Sequence, residues 1–377
     1  MFKKVLIKMK SMNKINKHSL RLFCLMILLL GLNIKLLCQE KNHYIIDNVE
    51  YTAMLDGYCA MASLQMNLDY YDFSIDQSLL LNLGWNYGFM YIKSPYYTIA
   101  YPDTDPVEEI VFACNLLGFS TTVLTFSSLK EARETLVKNI SQDIPVIVQW
   151  IPHTILAFGY RDSASSIIYH DPGDYRNQNL NDLYKNDFGK GEEVFMPVSD
   201  WEKIPYMWGM RQYQMVIIEP EDKKINIDWK EVWKRNAEKT LGRIKNPYPA
   251  IYGIDGIAEM TKDIENSIKQ NIPQSVAIIK NCEMCFKLGV GFRRNAAAFI
   301  SGQAAVFNEK NLSLASKEFL RSANYFRKGI NFINWLKINS EQELNGQTLY
   351  EFVEILKQII ECEKNGADYL LKASSQN

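Results

Sequence analysis

A chain of 377 residues, 47% hydrophobic and 12% aromatic, has enough apolar surface for one large core or two modest ones, and its length favours two domains. The formal net charge of −1 sets up no global field toward polyanions, and no block of like charges forms an interaction tail. Nucleic acid is therefore excluded as an expected partner.

The first 38 residues differ from the rest. Lys3, Lys4, Lys8, Lys10, Lys14, Lys17 and Arg21 lead into Leu22 to Leu32, a run of eleven uncharged residues closed by Asn33 and Lys35. The run is short for a bilayer span and suits the core of a secretory signal, so 1–38 is read as a signal peptide and the product as extracytoplasmic. Cys38 offers a lipidation point, although Leu37 before it is bulky where a small residue is usual. Membrane contact is expected only through lipidated Cys38 or an uncleaved leader. Past the leader stand Cys59, Cys114, Cys282, Cys285 and Cys362, an odd set that leaves at least one free thiol outside the cell.

Tyr44 to Tyr51 reads as an entering strand or extended arm, and Leu55-Asp56-Gly57-Tyr58 as a turn. From Cys59 to Tyr71 no Pro or Gly occurs, and Ala60, Leu64, Leu68 and Tyr71 recur at helical spacing, which predicts an amphipathic helix with Cys59 in its first turn. A second short helix is expected over Ser74 to Leu83. The following Gly84-Trp85-Asn86-Tyr87-Gly88-Phe89-Met90-Tyr91-Ile92 reads either as a packed turn with core aromatics or as the wall of a substrate groove. In the second reading Tyr58, Trp85, Tyr87 and Gly88 are the candidate substrate-binding residues.

Asp105 to Leu117 predicts a helix with Pro106 in its first turn and Gly118 past its end, Ser120 to Phe126 a strand, and Ser128 to Asn139 a further helix. Pro145 to Trp150, Thr154 to Tyr160, Ser166 to His170 and Tyr213 to Ile218 are short apolar runs expected to form an antiparallel sheet, with 173–200 as loop. Past Pro220, Lys and Glu rise and helical periodicity takes over, as in Ser313 to Ile338 and Gln347 to Ala373. The expected class is α+β: a helices-on-sheet domain over 39–222, then an all-α helical bundle over 223–377.

Cysteine chemistry needs a thiolate, which a helix N-terminus and a neighbouring imidazolium both favour. Cys59 has the first by position. Of the four histidines, His18 lies in the leader, His43 in the arm, and His170 faces away from Asp171 in a regular strand. That leaves His153 as base, with Asp171, eighteen residues on and at the end of the next strand, as the group that orients it. Cys282-Glu283-Met284-Cys285 has the spacing of half a zinc site or a redox pair, but no second pair lies within reach, so a structural role or one disulfide is expected. No metal and no cofactor are expected: no P-loop, dinucleotide glycine motif or HExxH occurs.

The segments Asp56 to Met66, Pro145 to Val148, His153 to Tyr160 and Ile168 to Pro172 resemble the double-glycine, bacteriocin-processing type of papain-like cysteine peptidase domain. With Leu83 to Tyr91 following the Cys59 helix, the closer likeness is to the butirosin biosynthesis protein H N-terminal domain family of Cys/His acyltransferases. The resemblance covers about 45–220. It implies a papain-like fold with Cys59 as nucleophile, His153 as base and Asp171 as orienting acid, acting on a peptide or small acyl substrate. One position departs from the peptidase pattern. Where that family has a Gln whose amide completes the oxyanion hole, this chain has Ala53. The departure favours acyl transfer or a specialised hydrolysis over general proteolysis, and also admits a catalytically silent binding or maturation module.

Overall fold

The computed structural model describes residues 43–55, 58–84, 88–93, 98–101, 105–150, 153–173, 194–197, 213–221, 225, 227–244, 250–339 and 345–376. The leader, with the signal peptide read there, lies outside these residues, as do Trp85 and Tyr87. No helix among the described residues is long and apolar enough to cross a membrane.

Strand β1 (Tyr44–Ile45) opens the chain and is followed by helices α1 (Cys59–Tyr70) and α2 (Gln77–Gly84). A hairpin of β2 (Met90–Lys93) and β3 (Thr98–Tyr101) leads into α3 (Pro106–Leu117), β4 (Phe119–Thr125) and α4 (Leu129–Ile140). Then come β5 (Val146–Trp150), β6 (His153–Arg161), β7 (Ser166–His170), β8 (Val194–Pro197) and β9 (Gln214–Pro220). The remainder is α5 (Trp229–Thr240), a two-residue strand β10 (Ile251–Tyr252), α6 (Gly253–Gln270), α7 (Ile272–Asn281), α8 (Glu283–Phe307), α9 (Lys310–Ile338) and α10 (Gly346–Ser374). This is the α+β arrangement expected from the sequence, with an antiparallel sheet first and long helices after it.

Local chemistry accounts for the boundaries. Asp105 caps α3 by accepting from the N–H groups of Val107 and Glu108, and Gly118 ends it at φ +82°, a conformation that favours glycine. Ser128 caps α4 through Glu131 N–H. The seven-stranded sheet runs β4-β9-β5-β6-β7-β8, with β1 on β6, and every pairing in it is antiparallel. Alternate residues of β5 and β6 serve two cores: Ile147 and Leu156 face α1, while Val146, Val148, Ile155 and Ala157 face α4.

Three local expectations change. Helix α1 is not amphipathic toward solvent, since eight of its twelve residues are buried between the sheet and other helices. The segment expected as loop over 173–200 contributes β8, paired with β7. The glycine-aromatic stretch runs into β2, where Phe89, Met90, Tyr91 and Ile92 are buried, and β10 from beyond Pro220 pairs with it, a strand inside the region read as all helix.

Tyr44–Asn377 forms one compact unit. Its core is shared between the sheet segment and the later helices: Tyr58, Leu64 and Ile147 belong to the same buried cluster as Phe292, Phe319 and Leu370. Close helix approach in the later segment depends on small residues, with Gly289 against Phe326 and Gly329 against Phe286, where a Cβ would lie within 3 Å of the ring. A buried ion pair, Arg293 Nε to Glu363 Oε1 at 2.7 Å, crosses from α8 to α10, and Ser322 of α9 also donates to Glu363.

Candidate active site

Cys59 is the first residue of α1, preceded by Tyr58, which makes no side-chain cap. The first N–H groups of the helix are therefore not satisfied by a side chain, and they place the positive end of the helix dipole at the sulfur. Two buried polar side chains fix the helix over the hairpin: Ser63 Oγ donates to Thr154 O at 3.3 Å, and Asn67 Nδ2 to Pro145 O at 3.1 Å.

His153 starts β6 opposite Trp150. Its Nε2 lies 2.6 Å from Asp171 Oδ1, and its side chain keeps 16% of its surface exposed while that of Asp171 keeps 2%. Asp171 follows β7 directly. It comes one residue past the Leu156↔His170 pair, at the end of the strand beside β6. Gly173 N–H donates to the same Asp171 oxygen at 2.9 Å. Pro172 O accepts from Met54 N–H at 2.9 Å, tying the Asp171 turn to the arm that enters α1.

Cys59 lies near enough to the His153 ring to act on its charge state. With Nε2 turned to Asp171, Nδ1 is the ring nitrogen left for the sulfur. Burial by itself lowers the His153 pKa, but the charges of Asp171 and Cys59 and the hydrogen bond to Asp171 outweigh it and hold the imidazolium well above its ordinary range. Sulfur, ring and carboxylate are thus joined in one chain of interactions, in the order inferred from the sequence.

The other candidates are placed differently. Tyr58 is 2% exposed and its ring packs on Phe292 of α8 at 4.3 Å, so it serves the core beside the site. Gly88 is buried in the chain entering β2, while Trp85 and Tyr87 fall outside the described residues. His170 Nε2 donates to Val49 O, 2.9 Å away, and its ring packs on Phe158 and Tyr51, the part of a structural histidine. Cys282 and Cys285 are buried free thiols, which removes the disulfide reading; Cys282 Sγ contacts Met260 Sδ at 3.6 Å. Among the described residues no group of three or more His, Cys, Asp or Glu is placed to hold a metal.

Sequence reasoning missed Gln77. Its Oε1 accepts from Leu55 N–H at 2.6 Å, and its Nε2 donates to Gln65 Oε1 at 3.1 Å and Ala53 O at 3.3 Å, so it holds the arm ahead of Cys59. The one available signal was a glutamine just ahead of the apolar run Leu79-Leu80-Leu81. A second network braces the end of α2: Lys239 donates to Glu109 at 2.6 Å and Gly84 O at 3.2 Å, Arg235 donates to Gly84 O at 3.0 Å and to Glu108, and Asn236 donates to Asn82 O at 3.0 Å.

A buried carboxylate, a part-exposed imidazole and a thiol at a helix N-terminus are the parts of a papain-like centre. Residues 32–204 match the Peptidase_C39 like family. That span contains Cys59, His153 and Asp171, and the likeness supports the papain-like, C39 peptidase superfamily for the sheet segment. It ends before β9, and the long helices lie outside it. No curated protein matches the chain.

Proposed function

We propose that this chain is a cysteine enzyme that cleaves or transfers an acyl group through a thioester on Cys59. The observation that carries this reading is His153, bonded at Nε2 to buried Asp171 and electrostatically linked to Cys59 at the head of α1. In the proposed cycle the Cys59 thiolate attacks the substrate carbonyl carbon, a C–S bond forms, and the carbonyl π pair moves onto oxygen. As the tetrahedral adduct collapses, the bond to the leaving group breaks and His153 gives that group its proton. Water or an acceptor, deprotonated by His153, then attacks the thioester and frees the sulfur. Asp171 keeps the ring oriented and stabilises its charge in both halves.

The substrate class is a peptide or small acyl compound. Likeness in sequence to the butirosin biosynthesis protein H family and the absence of Gln at position 53 favour transfer over general proteolysis. Export, proposed from the leader, would make the donor a peptide, lipid or small amide. Steady-state turnover of a peptide thioester by the full chain tests the reading. Cys59→Ala and His153→Ala are expected to lose on the order of 10⁴-fold or more in kcat. Unchanged kcat in either variant eliminates the mechanism. A parent that binds peptide yet turns over no thioester, ester or amide supports instead the binding or maturation module that Ala53 suggests.

A further inference from the structure

Removing the family's oxyanion glutamine leaves a chemical demand that some other donor must meet if Cys59 is acylated. Polar side chains between α1 and the sheet are few, and most are committed. Gln77 spends its amide on Leu55, Gln65 and Ala53, Asn67 donates to Pro145 O, and Ser63 donates to Thr154 O. Gln149 is different. It is 4% exposed, and its Oε1 is buried with no hydrogen-bond partner; Asn67 Oδ1 shares that condition, but Asn67 is held in place by its Nδ2 on Pro145 O. Nearly all buried side-chain amides in folded proteins are paired, and an unpaired one costs stability that a structural role does not explain.

Its position is informative. Gln149 is one residue from Trp150, the partner of His153, and pairs across the ladder with Thr154 on one side and Gln214 on the other. Pleat alternation puts it with Ile147 on the face that packs against α1. Thr154, beside it, receives Ser63, one helical turn beyond Cys59. Gln149 therefore lies on the sheet face that α1 covers, beside the Thr154 carbonyl that holds Ser63 in the second turn of the helix that carries the sulfur.

We propose that Gln149 is a catalytic residue whose side-chain amide, together with the Cys59 backbone N–H, donates to the oxyanion formed when Cys59 is acylated. An amide can present either end to the slot by turning about its last bond. This inference rests on the acyl-enzyme reading above. The glutamine has moved from the arm before the helix to the strand beneath it.

The test compares two reactions of Cys59 in the full chain. With p-nitrophenyl acetate the sulfur attacks a carbonyl, an oxyanion forms, and p-nitrophenolate leaves with the bonding pair. With iodoacetamide the sulfur displaces iodide from a saturated carbon and no oxyanion arises. In Gln149→Met, which keeps the volume and removes the amide, acetylation is expected to fall about 100-fold while alkylation stays within about twofold of the parent. The melting temperature of Gln149→Met is expected to equal or exceed the parent's, because an unpaired amide leaves the core. Gln149→Ala gives the same split between the two reactions. Unchanged acetylation, or an equal loss in both reactions, overturns the assignment of Gln149. A parent in which Cys59 is alkylated but never acetylated overturns the acyl-enzyme reading itself, and the assignment with it.

Discussion

The 2.6 Å contact between His153 and Asp171 decides which charge state the site keeps. Because His153 is held well above its ordinary pKa, the imidazolium persists at neutral pH beside the sulfur. Alkylation of Cys59 by iodoacetate, whose carboxylate is drawn to an adjacent cation, is expected to be bell-shaped, with a basic limb well above about 6.5. Asp171→Asn removes a main cause of the raised value and is expected to move that limb down; a limb that stays put contradicts the assigned role. Stability follows the same sign. A group whose folded pKa is raised contributes fully below its unfolded value of about 6.5 and loses that contribution as pH rises through the folded value. Urea unfolding of the parent is thus expected to show the His153 share of stability at pH 6 and its loss in alkaline solution, and His153→Ala to lack that pH dependence. These residues were legible in the sequence because only one histidine and one following carboxylate fit a strand hairpin. Gln149 was not, since a glutamine in Val146-Ile147-Val148-Gln149-Trp150 signals nothing until its partners, or their absence, are known.

At the scale of the element, helix α1 holds the sulfur by being buried nearly all round and pinned at two points. Asn67→Ala leaves Pro145 O and the vacated site without a donor, and is expected to cost about 1–3 kcal/mol in chemical unfolding, with slower Cys59 acylation. Phe292→Ala removes the ring against Tyr58 and is expected to cost about 3–5 kcal/mol, although it lies in a helix more than two hundred residues further along. A melting curve that matches the parent's in either variant contradicts the packing described. Periodicity located α1, α3, α4, α9 and α10 to within a few residues, because caps and turn residues such as Asp105, Ser128 and Gly118 mark their ends. It read α1 as amphipathic from the spacing of Ala60, Leu64, Leu68 and Tyr71, yet the polar Ser63 and Asn67 are buried too, as donors to strand carbonyls. Strands β8 and β10 were missed because four- and two-residue strands have no period to detect; a paired neighbour alone makes them strands.

Across the whole molecule the sheet segment and the later helices share one interior, even though composition changes at Pro220. Phe292, Phe319 and Leu370 lie in the same cluster as α1, and β10 completes the small sheet begun by β2. Sequence composition showed the change of element type and could not show that the two segments bury each other's apolar faces. A truncation after residue 222 is expected to expose that cluster, bind a hydrophobic dye and resist neither protease nor heat. A soluble, cooperatively melting fragment with a reactive Cys59 contradicts this. Lys239→Met leaves Glu109 buried without its cation and is expected to destabilise the fold by about 3–5 kcal/mol, read in urea unfolding.

The central claim, that sulfur, imidazole and carboxylate act together as an acylating centre, is tested most directly by weighing the protein. After incubation with a simple acyl thioester and rapid acid quenching, intact-mass and peptide mass spectrometry are expected to find one acyl group on Cys59 in the parent. None is expected in Cys59→Ala, and His153→Ala should show a strongly reduced amount. An unmodified Cys59 in the parent, or the same adduct in Cys59→Ala, contradicts the account.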